Sequence, residues 1–117
     1  MKYICSRLSA PTAEEMEQNM MKAADYCRIV TEKTGERAFA PHSFLPRYVD
    51  DNNPAERAIA LEFGRRMLTI CDEVYVVTEG KEYSSGMQGE IELAKELNIP
   101  ITIFEGIEDL VAFLPKN

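Results

Sequence analysis

Two serines, a glycine and a glutamate lie at a boundary between a loop and a helix in the second half of the chain. Ser84, Ser85 and Gly86 end a polar loop, and Glu90 follows about one turn inside the helix that they open. The free backbone N–H groups of such a helix start are suited to an anion. A carboxylate at Glu90 would share that site and could attack an electrophilic sugar carbon. The same spacing also fits an ordinary helix cap followed by a solvated first-turn acid, which is the commoner arrangement.

Other polar residues lie beside short apolar segments that are typical of strands. Ser6 and Arg7 follow the first segment, His42 follows the second, and Asp72 borders the third. Because ligands bind beyond the carboxyl ends of parallel strands, we expect a shared rim there. The side chains expected to converge on this rim are those of Ser6, His42, Asp72, Ser84 and Glu90. Purely structural roles stay open for three of these residues: Asp72 as a capping acid, Arg7 as a solvated arginine and His42 as a structural hydrogen-bonding residue.

The elements that must position these residues alternate along the chain. Apolar segments predict strands over 1–5, 37–41, 73–78 and 100–104. Helical periodicity and capping signals predict helices over 12–35, 54–68, 87–97 and 107–114. This alternation predicts an α/β protein with a single Rossmann-like (flavodoxin-like) domain over residues 1–117. We expect a four- or five-stranded parallel sheet with helices on both faces.

Composition excludes several classes of function. A chain of 117 residues suits one domain, and its net charge of −7 argues against binding a nucleic acid polymer. No apolar run approaches the ~18 residues of a membrane span, and no secretory leader is evident, so neither a membrane nor secretion is expected. Three cysteines without metal or redox spacing, together with a lone histidine, predict reduced thiols, no metal site and a cytoplasmic location.

The predicted helix over 54–68 has a structural interpretation. Its arginines are expected to form a solvated face that pairs with nearby glutamates. The residues concerned are Arg57, Arg65 and Arg66, with Glu56 and Glu62. Its apolar positions, and the methionines at 16, 20 and 21 in the first helix, are expected to form core or subunit contacts. A small domain gains buried surface by association, so we expect a homodimer or a higher homo-oligomer.

The residues from 71 to 101 carry a family resemblance. They read Cys-Asp-Glu-Val-Tyr-Val-Val, then a loop, then Ser-Ser-Gly-Met-Gln-Gly-Glu-Ile-Glu-Leu-Ala, and finally Asn-Ile-Pro-Ile. An Asp before the central strand, and Asp/Ser-x-Gly-x-x-x-Glu opening the next helix, resemble the signature of the nucleoside 2-deoxyribosyltransferase-like superfamily. The resemblance extends to 3–7 and 39–42, and it includes small uncharacterised members from bacteria and phages.

The resemblance implies roles for the matching residues. Glu90 matches the nucleophile that attacks C1′ of the sugar, and Asp72 matches the acid that assists departure of the base. Ser84 is similar to the 5′-phosphate ligand of the branch that hydrolyses 2′-deoxynucleoside 5′-monophosphates. The classical transferases, which act on unphosphorylated nucleosides, have an Asp there, and that Asp would repel a phosphate. The substrate-binding positions that the resemblance implies are Cys5, Ser6, Arg7, His42, Ser84, Ser85, Gly86 and Met87.

Two hypotheses from different classes follow, with a purely structural role as a third. The first is an enzyme that cleaves or transfers at the N-glycosidic bond of a (deoxy)nucleoside or its 5′-monophosphate, without a metal or organic cofactor. The second is a non-catalytic protein that binds and sequesters a nucleotide-derived signal, as in phage anti-defence. Retention of both Asp72 and Glu90 favours the enzyme. An N-terminal loop without the glycines of the hydrolase branch favours binding alone.

Overall fold

Four strands form one parallel sheet in the computed structural model, which describes residues 1–50 and 52–115. They are β1 (Lys2–Cys5), β2 (Ala38–Phe39), β3 (Glu73–Val77) and β4 (Ile101–Phe104). Their order in the sheet is β2-β1-β3-β4, and every neighbouring pair is parallel. The predicted four- or five-stranded parallel sheet is therefore confirmed with four strands in the described residues. The strand order reverses direction between β1 and β3, which is where open α/β sheets bind ligands.

Helices follow the strands at the positions that the sequence predicts. They are α1 (Ala13–Thr34), α2 (Pro54–Thr69), α3 (Ser85–Glu96) and α4 (Ile107–Phe113). The Thr12 hydroxyl accepts the N–H of Glu15 at 3.1 Å, and Gly35 ends α1 with a left-handed φ of 74°. Two short 3-10 helices, Pro41–Ser43 and Leu45–Arg47, lie where the sequence predicts no helix. Over the described ranges, no helix has both the length and the apolar character needed to cross a bilayer.

The central strands divide their side chains between two cores. Alternate residues of β1 and β3 point to opposite sides of the sheet, as the period of a strand requires. One set packs beneath α2 and α3, and the other beneath α1 and α4. The first core includes Tyr3, Cys5, Leu68, Val74, Val76, Met87, Ile91 and Leu93, and the second includes Ile4, Tyr26, Val30, Tyr75, Val77, Phe104 and Leu110. The prediction of helices on both faces is confirmed.

The amino edge of the sheet carries an ion cluster around a buried lysine. Nζ of Lys2 lies 2.6 Å from Glu73, 3.2 Å from Glu36 and 3.5 Å from Asp72. Asp72 also lies 3.3 Å from the N-terminal amine, and its side chain is 58% exposed. Slight burial disfavours its charge. Hydrogen bonding from the amine and attraction to Lys2 outweigh that effect, so the pKa of Asp72 lies below its ordinary value.

The prediction that Asp72 joins the functional rim is therefore wrong. Asp72 comes directly before β3, and its backbone N–H donates to the Met1 carbonyl at 2.9 Å, at the start of β1. Residues that precede parallel strands lie at the amino edge, opposite the carboxyl rim where ligands bind. The local role of Asp72 is to pair with the cations at this edge.

Candidate functional site

A cavity of about 410 Å³ opens at the carboxyl rim, in the range typical of small-molecule sites. Its walls come from the loop after β1, the 3-10 helices, one face of α2 and the first turns of α3. The predicted site residues that line it are Ser6, His42, Ser84, Ser85, Gly86, Met87 and Glu90. The structure therefore brings together seven of the residues that the sequence singles out, around one open cavity.

Glu90 is the acid that lines this cavity, and no other Asp or Glu of the described residues does so. Its Oε1 lies 4.0 Å from the Cys5 thiol, while Oε2 is buried without a hydrogen-bond partner in the described chain. Burial raises the pKa of Glu90 to about 7, and hydrogen bonding with the Tyr3 hydroxyl opposes part of that rise. An unsatisfied buried carboxylate oxygen is costly in a folded protein, which makes it a candidate for contact with a ligand.

The start of α3 presents donors to the same cavity. The Ser84 hydroxyl accepts the N–H of Met87 at 3.2 Å, so Ser84 is the N-cap of this helix. The N–H groups of Ser85 and Gly86 have no acceptor in the described residues. Capping uses a lone pair of the Ser84 oxygen, so its own proton remains available to a ligand. A Cβ at Gly86 would meet only the Ser84 hydroxyl, at 4.0 Å, so the approach to these donors is open.

Ser6 and His42 form a pair in the cavity wall. The Ser6 hydroxyl and Nε2 of His42 are 2.7 Å apart, and Ser6 is almost fully buried. Burial lowers the pKa of His42 to about 4, so the imidazole is neutral at neutral pH. A neutral imidazole has one donor and one acceptor nitrogen, and the Ser6 hydroxyl can complement either. The pair can therefore donate a hydrogen bond to a ligand while keeping its internal contact.

Two other predicted substrate-binding residues lie beside the cavity and do not line it. Cys5 is fully buried beneath α3, with its sulfur 3.9 Å from the Met87 carbonyl oxygen. The Arg7 guanidinium donates to the Glu82 carbonyl and so joins the loop after β1 to the loop before α3. Its Nε is buried without a partner in the described residues. Cys5 thus supports Glu90 from below, and Arg7 holds the two rim loops together.

Sequence reasoning missed that α2 forms a wall of the cavity. The lining positions follow one helical stripe: Arg57, Ala60, Leu61, Gly64, Arg65 and Leu68. Small residues at two of these positions leave room for the cavity. Arg57 and Arg65 are exposed, as the interpretation of a solvated face requires, but their expected pairing with glutamates is wrong. Arg66 pairs with Glu62 at 3.0 Å, whereas the other two line the cavity and have no ion-pair partner in the described chain.

The strand order, the helices on both faces and the cavity at the carboxyl rim define a parallel α/β protein with a cavity that is lined by one carboxylate in the described residues. The chain belongs to the family described as domain of unknown function DUF7768, whose model matches residues 1–104. That range contains all four described strands and the whole cavity lining. No curated protein and no solved structure matches the chain. Among the described residues, no group of three or more His, Cys, Asp or Glu side chains is placed to hold a metal ion.

Proposed function

We propose that this protein cleaves or transfers at the N-glycosidic bond of a (deoxy)nucleoside or its 5′-monophosphate, with Glu90 as the nucleophile. The observation that carries the proposal is the buried, unpartnered Oε2 of Glu90 beside the cavity. In the first step, a carboxylate oxygen of Glu90 bonds to C1′ as the bond from C1′ to the base breaks. The bonding electron pair leaves with the base, which then takes a proton. Water or a second base releases the glycosyl ester and regenerates the carboxylate.

The start of α3 supports a phosphate in this substrate. Glu90 lies four residues beyond Gly86, which is about 6 Å along the helix axis. A 5′-phosphate on the free N–H groups and the Ser84 hydroxyl would leave the attached sugar near Glu90. The positive end of the helix dipole adds to the attraction for the phosphate.

The position of Asp72 changes how departure of the base is assisted. With Asp72 at the far edge of the sheet, the polar pair in the wall is Ser6 with His42. In the proposed reaction, this pair donates a hydrogen bond to the departing base, and water completes the protonation. Such assistance is weaker than a positioned acid, so it suits a substrate whose base leaves readily.

A second candidate function is nucleotide binding without turnover. The observation that favours it is the single acid in the described cavity lining, because a glycosidase of this kind gains from a second proton-transfer group. A protein of this type would hold and sequester a nucleotide-derived signal. It would use the same donors at the start of α3.

Base release separates the two candidate functions. Incubation with the four deoxynucleosides and their 5′-monophosphates is expected to yield free base from at least one substrate, measured by chromatography. Calorimetric titration with the same compounds supplies the binding control. Binding of a nucleotide without any base release would replace the enzyme with the sequestering protein. Absence of both binding and release would exclude both candidates.

Self-association is the expected state in solution. Although α2 has an apolar face, only Leu68 of this helix is buried, and Ile59 is 64% exposed. We expect light scattering at tens of micromolar to give at least twice the monomer mass of 13.3 kDa. Ile59→Lys should shift that mass toward the monomer, whereas Ile103→Lys, at a residue that is 57% exposed on β4, should not. A wild-type mass near 13.3 kDa would contradict association.

A further inference from the structure

The charge of the cavity is opposite to that of the chain. The protein has 20 acidic and 13 basic residues, for a net charge of −7. The described cavity lining nevertheless contains two arginines, Arg57 and Arg65, against the one acid, Glu90. Neither arginine has an ion-pair partner in the described residues, although Arg66 on the same helix is paired with Glu62. In so acidic a protein, two unpaired cations facing one cavity indicate an anionic ligand.

The two arginines lie on a different wall from the start of α3. They are eight residues apart on α2, about 12 Å along its axis, and they flank Leu61 in the lining stripe. Both are exposed and long enough to bend toward a common anion between them. The free N–H groups of Ser85 and Gly86 belong to the neighbouring helix. The cavity therefore has donors for anions on two of its walls, and a single 5′-phosphate at α3 leaves those of α2 unused.

The rest of the lining suits the uncharged part of a nucleotide. The lining also contains apolar residues of the loop after β1 and of the 3-10 region: Leu8, Pro41, Leu45, Pro46 and Val49. Apolar walls with a few placed polar groups are the usual composition of a small-molecule site. A base and its sugar can lie against this surface while charged groups reach the two helices.

We propose that Arg57 and Arg65 form a second phosphate subsite, and that the ligand is a nucleotide with a second phosphate remote from the first. That phosphate is either a 3′-phosphate or a phosphodiester to another nucleoside. The inference rests on the proposed function in one respect, since it takes the 5′-phosphate to be bound at the start of α3. It holds equally for an enzyme and for a sequestering protein.

Calorimetric titration of four ligand types tests the subsite. The ligands are 2′-deoxynucleoside 5′-monophosphates, 5′-diphosphates and 3′,5′-bisphosphates, with 5′-phosphorylated dinucleotides to distinguish a diester from a terminal phosphate. We expect wild type to bind a bisphosphate or a dinucleotide at least about tenfold more tightly than the monophosphate, since hydrogen bonds to charged groups are strong. The additional charge of the 5′-diphosphate lies at the α3 end. Its gain in affinity over the monophosphate should therefore be smaller.

Variants on one helix supply the matched comparison. Arg57→Gln/Arg65→Gln should reduce the preference for the second phosphate to below about threefold and leave monophosphate affinity nearly unchanged. Arg66→Gln removes a cation of the same helix that is paired away from the cavity, and it should keep the full preference. Equal loss of affinity for all ligands in the double variant would overturn the inference, and so would a wild type without the preference. If the preference is present but no base is released, the enzyme proposal fails and the subsite stands.

Discussion

Glu90→Gln is expected to abolish base release, by at least about 10³-fold, while changing nucleotide affinity less than about threefold. The amide keeps the shape of the side chain and can still interact with the Tyr3 hydroxyl, but it cannot form a glycosyl ester. Glu92→Gln, two residues along α3 on its exposed side, is the matched control and should retain the wild-type rate. Single-turnover release with calorimetry measures both effects. A Glu90→Gln variant that still releases base at the wild-type rate would show that another group attacks the sugar.

The pH dependence gives Glu90 a second signature. Because burial raises its pKa to about 7, base release should rise with pH through about 7 as the carboxylate forms. The same shift affects stability. The protonated Glu90 side chain contributes to the free energy of unfolding. This contribution is fully present below the unfolded pKa of about 4.5, and it is lost as pH rises through the folded pKa of about 7. Denaturant unfolding at pH 8 should therefore find Glu90→Gln more stable than wild type, by up to about 3 kcal/mol, and the difference should vanish near pH 4.

The elements could be predicted because their signals are local. Thr12 and Gly35 bound α1 through a side-chain cap and a left-handed backbone, and both signals are visible in the sequence. After Glu73, the remaining residues of β3 are buried and mostly apolar because both faces of the sheet are covered. Ser84 and Glu90 could be placed together because they are six residues apart in sequence, at the start of one helix. For these features, the distance along the chain determines the distance in space.

The walls and edges of the site depend on packing between distant segments, which local signals do not report. Asp72 is adjacent to β3 in sequence. Because it precedes the strand, it lies at the amino edge of the sheet. In the sequence, Arg57 and Arg65 have the spacing of surface residues on an amphipathic helix. The sequence does not show that this face of α2 lines an open cavity. The 3-10 helices near His42 were missed for a related reason, since short helices of this kind have weak signals of their own.

Ser84→Asp is expected to reverse the preference between a monophosphate and its nucleoside. Wild type should bind the monophosphate about tenfold more tightly or better, because charge-assisted hydrogen bonds contribute roughly 1.5–3 kcal/mol each. An aspartate at this position would place a carboxylate against the phosphate, and the nucleoside should then bind more tightly. Calorimetric titration of both proteins with a nucleoside and its 5′-monophosphate measures the change.

The substitution separates binding from folding, because Asp is as good an N-cap as Ser and interacts favourably with the start of a helix. Ser84→Asp should therefore keep the thermal stability of wild type while losing phosphate affinity. Ser84→Ala gives the opposite combination: it removes the contact with the Met87 N–H and destabilises α3 by about 1 kcal/mol, with a smaller loss of phosphate binding. If Ser84→Asp leaves both affinities unchanged, Ser84 is a helix cap alone, and the phosphate lies elsewhere in the cavity. A parallel loss in Ser84→Asp and in Arg57→Gln/Arg65→Gln would instead mean that one phosphate is held jointly by α2 and α3.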